Sequence, residues 1–553
     1  MPLGACPFPA SVPFLLHLSF NSGPVPFLLA PGVGHDQVSA SSWPGFASLP
    51  LAVAARDGRE AGRFERAAKI TPARIAASMN PATAPSAPPQ LKSNVIGLLG
   101  AATLGVVFLS PAMTLYGLFG PIYLAAGTAA PMAFVFALLA TLPTAYGYAV
   151  LSRDFPSSGS AADWSARATT PRIGIWTGWI VFFYYFTNFV IQPVAVGLFC
   201  TELLNFAGVA SEVARGSGFL IGVLGCTAWP AWMVYRGISI SARGALAVLV
   251  VEIVVVVALC GTVVWLAPQR GTPLNLDGFS LSGATQNGPA MFQAMVFAML
   301  GFCGFDVIST VAEETKMARK LIPKATILAV LFYAVIIIAG MWALTLGGQP
   351  EALKQAVADG RMPINDVARS FWGSGSLLVT ITGISASLGL AIVTSVGASR
   401  ILFSMGRAGT APARFARLHP THQVPWNSLH VIFVGGLVGA LVLFAINGAY
   451  QAYVWWATTS TFFAMMTYLF VNIAVIILNR HRVTTSVKGF LLYAVIPGIG
   501  IAADGYILVQ SFFIELWNQG WATGKSVVVF DVACAALALV LALTARKAAA
   551  EGR

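Results

Sequence analysis

From Asn94 to about residue 545 the chain repeats one pattern, a long apolar run followed by a short polar connection. Twelve runs reach the roughly 20 residues that a helix needs to cross the hydrocarbon of a bilayer. They cover about 95–126, 128–151, 173–206, 217–235, 244–267, 289–312, 325–347, 376–399, 428–447, 450–478, 489–512 and 527–545. They are called spans 1 to 12 below. Several exceed the length of one crossing, which permits tilt or an interruption. The pattern predicts an all-α membrane protein with one membrane domain over 94–545. Residues 1–93 do not follow it. Short apolar pieces at 14–16 and 27–29 are interrupted by Pro, Gly and Ser, and a charged run follows at 56–74. A signal peptide has the opposite order, basic residues before the apolar core. This extension is expected to be mostly disordered, with Met79 as a candidate native start. Residues 546–553 are expected to form a short cytoplasmic tail.

Composition narrows the class. Hydrophobic residues make up 57% and charged residues 9%, against roughly 25% charged in soluble domains. This excludes a soluble enzyme, and a disordered chain would need low hydrophobicity. The net charge of +12 is spread along the chain, which argues against a nucleic-acid partner. Its distribution instead orients the helices. With the N-terminus inside, 20 of the 32 Lys and Arg residues fall on the inner side, six on the outer side and six in the extension. That asymmetry supports twelve crossings with both termini cytoplasmic. The outer loop 349–375 carries mixed charges and is expected to form short amphipathic helices. The six cysteines are isolated and show no metal-ligand spacing. Gly524-Lys525-Ser526 looks like the end of a phosphate loop, but Gln519 stands where the first glycine is required. Gly435 and Gly439 form a weak helix-contact motif. No catalytic cluster, metal or cofactor is expected.

Two spans carry helix breakers. Span 1 contains Ser110-Pro111-Ala112-Met113-Thr114. Pro111 removes an amide donor and disfavours helix at Ser110. A simple proline kink is the alternative to a true break. Span 6 contains Gly301-Phe302-Cys303-Gly304-Phe305-Asp306. An acid at mid-span costs about 2.5–3.5 kcal/mol, so Asp306 needs a partner, a proton or water. Its structural alternative is to hold the break by bonding free amides. Breaks five spans apart point to an inverted five-plus-five repeat with two extra C-terminal helices. A half-helix starting near Ala112 or Met113 offers N–H groups suited to a carboxylate. Carbonyls freed at 300–303 suit an ammonium group. The candidate substrate site is therefore Ser110, Ala112, Met113 and Thr114 with Leu300, Phe302, Cys303 and Gly304. Glu252 is the lone acid among Val, Ile and Leu in span 5. It is either a proton carrier or a carboxyl bonded to a neighbouring helix. Glu313 and Glu314 with nearby Lys and Arg form either an inner gate with Arg153 or Arg400, or a solvated loop face.

These residues resemble the amino acid–polyamine–organocation superfamily of secondary transporters over about 94–545. After span 2 the chain reads Leu151-Ser152-Arg153-Asp154-Phe155-Pro156-Ser157-Ser158-Gly159-Ser160, similar to the family's "LSRxFPxxGS" loop. Gly178-Trp179 begins span 3 as in the family. Span 6 runs into Glu313-Glu314-Thr315-Lys316 and then Ile322-Pro323-Lys324-Ala325. Ser399-Arg400, Met405-Gly406-Arg407, Pro412, His419-Pro420 and Pro425 follow span 8. The Pro-Met-Thr break of span 1 departs from the Gly-Ser-Gly type of amino acid permeases and looks like that of bacterial importers related to putrescine uptake. The resemblance implies that spans 1, 3, 6, 8 and 10 surround the site, which adds Tyr185 and Asn188. It implies a carrier in the cytoplasmic membrane that imports an amino acid or related amine. Proton symport through Asp306 and Glu252, with alternating access, is the expected mode. An exchanger, a putrescine importer and a non-transporting nutrient sensor are the alternatives. A diamine calls for acids at both ends of the site. Only Asp306 and Glu252 are central, which favours an amino acid. The expected partners are a small molecule and the lipid bilayer; the sequence does not specify an oligomeric state.

Overall fold

A computed structural model describes residues 95–280, 288–359 and 361–551. The extension 1–93 and the candidate start Met79 lie outside the described residues. Eleven stretches are long and apolar enough to cross a membrane. The first, Leu98–Asp154, has 57 residues, roughly 85 Å if it were one straight helix. It is interrupted at Ser110 and turns back at Gly127, where φ is 58°, so it contains predicted spans 1 and 2. All twelve predicted spans are therefore present.

Span 1 divides into 1a (Leu98–Leu109) and 1b (Pro111–Ala126), and span 2 is Ala130–Asp154. Spans 3, 4 and 5 are Pro171–Phe206, Phe219–Tyr235 and Ile238–Leu266. Span 6 divides into 6a (Gly288–Phe302) and the short 6b (Val307–Thr310). Spans 7 to 10 are Ala318–Gly347, Leu377–Arg407, Trp426–Asn447 and Ala449–Leu478. Span 11 covers Val487–Leu516, and span 12 is Ser526–Glu551. Several ends differ from expectation, with spans 5 and 7 starting about two turns early at Ile238 and Ala318. Span 8 runs on through Arg407, because Ile401, Leu402 and Phe403 continue its buried face. Span 12 runs on through the expected tail, whose Ala-rich sequence favours helix.

The packing has an internal two-fold pattern. Span 3 lies on span 8, and span 2 lies on span 7. The contact of span 3 with span 10 is matched by that of span 8 with span 5. The contact of 1a with span 7 is matched by that of 6a with span 2. Exchanging each span for its counterpart five places away in the other half converts one contact into the other. Because five is odd, the two halves run through the membrane in opposite senses.

Small residues bring the helices close, as packing without a hydrophobic drive between helices requires. Gly222 in span 4 lies on the backbone of Gly197 in span 3, where a Cβ would come within 2.7 Å. Gly435 and Gly439 face Phe186 and Val190 of span 3, so that motif does mark a helix contact. Large apolar side chains such as Val254, Trp265, Val335 and Ile446 stay exposed on the outside, where lipid replaces water. The outer loop forms two short helices, Pro350–Ala358 and Pro363–Trp372. Pro363 packs on Gly120 of 1b, and Arg369 pairs with Glu202 at the end of span 3.

Candidate functional site

Ser110 adopts φ 40° and ψ 91°, a region that non-glycine residues seldom occupy. The break is thus a true interruption rather than a kink. Its hydroxyl accepts from Met113 N at 3.2 Å and donates to Glu252 Oε1 at 2.8 Å. The same Glu252 oxygen accepts from Ala112 N at 2.7 Å. Thr114 N reaches the Ser110 carbonyl at 3.0 Å. This corrects the expectation that Ala112 and Met113 hold N–H groups free for a substrate carboxylate. The buried carboxyl of span 5 already takes the donors at the positive end of 1b. Glu252 Oε2 has no partner among the described residues.

The break in span 6 is held by tyrosines. Gly304 has φ 135°, and a Cβ there would meet Phe108 at 2.7 Å, so only glycine fits. Its N–H reaches the Tyr468 hydroxyl at 3.4 Å. Asp306 is buried, and its Oδ1 accepts from Tyr184 at 3.1 Å and from Tyr468 at 3.0 Å. Tyr185 donates to Oδ2. The partners of Asp306 are therefore hydroxyls of spans 3 and 10 together with its own amide in the break. Tyr333 of span 7 joins the two broken helices. Its hydroxyl lies 2.7 Å from Thr114 Oγ1 and 2.6 Å from the Gly301 carbonyl. Cys303 N returns to the Leu300 carbonyl at 3.0 Å.

A cavity of about 50 Å³ lies between the breaks, room for a few water molecules. Met113, Thr114, Asn188, Leu300 and Cys303 line it, as expected. Ser110, Ala112, Phe302, Gly304 and Tyr185 are not among its lining residues. Ser110 and Ala112 turn to Glu252, Phe302 packs between Phe134 and Tyr333, and Tyr185 serves Asp306. Sequence reasoning missed Gln192 and Tyr453, which also line the cavity. Gln192 Nε2 donates to the Asn188 carbonyl at 2.9 Å, and its Oε1 has no partner among the described residues. The available signal was its place one helical turn after Asn188 in an apolar span.

Below the site, at the end rich in Lys and Arg, two ion pairs close the bundle. Arg400 binds Glu314 through Nε at 2.9 Å and Nη2 at 3.4 Å. The two side chains are 1% and 2% exposed, so this is not a solvated loop face. Arg407 binds Glu313 at 2.7 and 3.0 Å, and Ser158 adds a third bond at 2.6 Å. Burial pushes the Glu313 carboxyl upward, but the bonds from Arg407 and Ser158 outweigh it and hold the group below its ordinary value. The expected pairing of Arg400 with the acid pair is present, and Arg407 joins it. Arg400 takes Glu314, Arg407 takes Glu313, and Arg153 stands apart on Asp154, about half exposed. A main-chain seam reinforces the closure. Val95 N and Ile96 N donate to the Glu314 carbonyl at 2.9 and 3.0 Å, and Lys316 N donates to the Ile96 carbonyl at 2.8 Å.

Two interrupted helices facing each other across a small cavity, inside a helical membrane bundle, are the arrangement of a membrane transporter. The chain belongs to the amino acid permease family, whose model matches residues 98–544. It is 27% identical over 426 residues to the low-affinity putrescine importer PlaP of Escherichia coli, covering 75% of this chain and 87% of that one. It is 25% identical over 415 residues to the branched-chain amino acid permease BcaP of Bacillus subtilis, covering 72% and 82%. The crystal structure of the Eremococcus coleocola manganese transporter superposes with a TM-score of 0.52 at 13% identity, covering 81% of this chain and 94% of that one. That likeness concerns the fold alone.

Proposed function

We propose that the chain imports a small amino acid or amine across the cytoplasmic membrane by proton symport, with both termini inside and alternating access at the site between the breaks. The proton gradient is the energy source, and no cofactor takes part. The observation that supports coupling most directly is the Glu252 carboxylate on Ala112 N and Ser110 Oγ. Ionised Glu252 and a substrate carboxylate compete for the same donors. A proton on Glu252 removes the charge that holds it there and leaves those donors to the substrate. Proton and substrate then favour each other's binding, and the coupling is reciprocal. The substrate's ammonium group goes to the carbonyls of Leu300 and Gly301, each of which has a second lone pair to offer.

A second reading is supported by the unpartnered Glu252 Oε2. In it Glu252 stays ionised and accepts an ammonium group, and the substrate is an amine without a carboxylate, as for the putrescine importer among the relatives. Purified protein in liposomes separates the readings. A pH gradient, acidic outside, is expected to drive accumulation of amino acids in the first reading, whereas in the second diamines bind to ionised Glu252 and external acid competes with them. Glu252→Gln is expected to abolish accumulation while retaining exchange of preloaded substrate. Undiminished accumulation by that variant excludes the coupling role. An exchanger needs internal substrate and ignores the pH gradient.

A further inference from the structure

A second buried acid lies outside this site. Asp504, in the middle of span 11, is fully buried. Its Oδ2 accepts from Thr144 Oγ1 of span 2 at 3.1 Å and from Asn472 Nδ2 of span 10 at 3.2 Å. Asn472 Nδ2 also lies 2.7 Å from Thr144 Oγ1. Asp504 Oδ1 and Asn472 Oδ1 have no partner among the described residues. Thr144 and Asn472 are themselves fully buried. Two glycines let the three helices close on this point. A Cβ on Gly500 would come within 2.5 Å of Asn472 Nδ2, and one on Gly147 within 3.3 Å of Asn472 Oδ1.

No Lys, Arg or His forms an ion pair with Asp504 among the described residues. An unpaired carboxylate at this depth is costly, and the unsatisfied amide oxygen of Asn472 beside it adds to the cost. A small cation removes both penalties, and hard cations take oxygen ligands of this kind. The titratable groups within electrostatic reach of Asp504 are Tyr148 of span 2 and Cys303 of span 6. Span 10 turns its Tyr468 to Asp306 instead. None of these groups supplies a positive charge.

We infer that Asp504, Asn472 and Thr144 form a second cation site, which takes a proton or a sodium ion through their oxygens. The site communicates with the central one. Asn472 lies one helical turn beyond Tyr468, the tyrosine that binds both Asp306 and Gly304 N. Tyr148 stands edge-on to Tyr468 at 6.0 Å and lies within electrostatic reach of both Asp306 and Asp504. Occupancy of the outer site therefore bears on the break in span 6. The inference does not depend on Glu252 or on which substrate is carried.

The test is thermal unfolding of the purified full chain without substrate, which reads the cation site whether or not the symport proposal holds. The melting temperature is measured against sodium at constant ionic strength, with choline as the replacement, and separately against pH. A cation that binds only the folded state raises the melting temperature as its concentration rises. Wild type is expected to gain stability with sodium if sodium is the ligand, or with falling pH if the proton is. Asp504→Asn is expected to lose whichever response wild type shows. Thr144→Val keeps the side-chain shape and removes one oxygen. It is expected to shift that response several-fold in cation concentration, and it serves as the test if Asp504→Asn does not fold. Sodium and pH responses equal to wild type in the variants overturn the inference.

Discussion

The Arg400–Glu314 pair permits a quantitative expectation. Both side chains are almost wholly removed from solvent, and the donors that reach the Glu314 carboxylate are Arg400 Nε and Nη2. Arg400→Met retains most of the volume and removes both donors. Two hydrogen bonds to a charged acceptor, at about 1.5–3 kcal/mol each, give a loss of roughly 3–6 kcal/mol. Measured losses on breaking a buried pair, about 3–5 kcal/mol, agree. That is a factor of roughly 10²–10⁴ in any equilibrium the pair controls. The single variant is expected to melt well below wild type when purified protein in detergent is followed by size exclusion after heating. Most of the loss comes from the stranded carboxylate. Arg400→Met combined with Glu314→Leu is therefore expected to recover most of the stability, since an apolar replacement of the whole pair is often neutral. If the single variant melts with wild type, or the double variant is no better than the single, the pair does not lock the basic end.

Three further outcomes are expected. For Glu313, whose folded-state value lies below its ordinary 4.5, the pairing with Arg407 stabilises fully above that ordinary value and is lost as pH falls through the depressed one. The melting difference between wild type and Glu313→Gln should therefore stay flat from pH 6 to 8 and shrink only in acid below about 4.5. Gly304→Ala places a Cβ against Phe108 at a positive φ and should cost more than about 1 kcal/mol, read as lost expression of folded protein, while Gly216→Ala, in open space, should be silent. Gln192→Leu removes one amide from the cavity wall and should raise the transport KM up to about tenfold, the worth of one hydrogen bond, with no change in melting temperature.

The spans were legible because hydrocarbon imposes a length and an apolarity that few other environments demand. The breaks were legible for a related reason, since Pro111 and the Gly301/Gly304 pair have few uses inside a membrane helix except interruption. The partner of Glu252 was not legible. Span 5 is apolar on every side, so its sequence does not reveal which face carries the acid, and the partner lies 142 positions away at Ser110. Tyr333 was overlooked because a lone tyrosine in an apolar run reads as an interfacial anchor, whereas here it joins the two breaks. Arg400 was named as a partner of the acid pair, and Arg407 was missed for a geometric reason. Arg400 and Arg407 sit on a helix that continues past the expected end, two turns apart and on one face, so neighbouring acids in the Glu313-Glu314 pair divide between them.

The seam between Val95, Ile96, Glu314 and Lys316 is made of peptide groups alone. Its strength is therefore almost independent of which side chains stand there, and an alanine scan of the basic end passes over it. Backbone edits reach it instead. A proline at 96 or 316 deletes a donor and weakens the seam. In the proposed alternating-access cycle the seam parts when the basic end opens, so such a substitution is expected to change transport rate as well as folding.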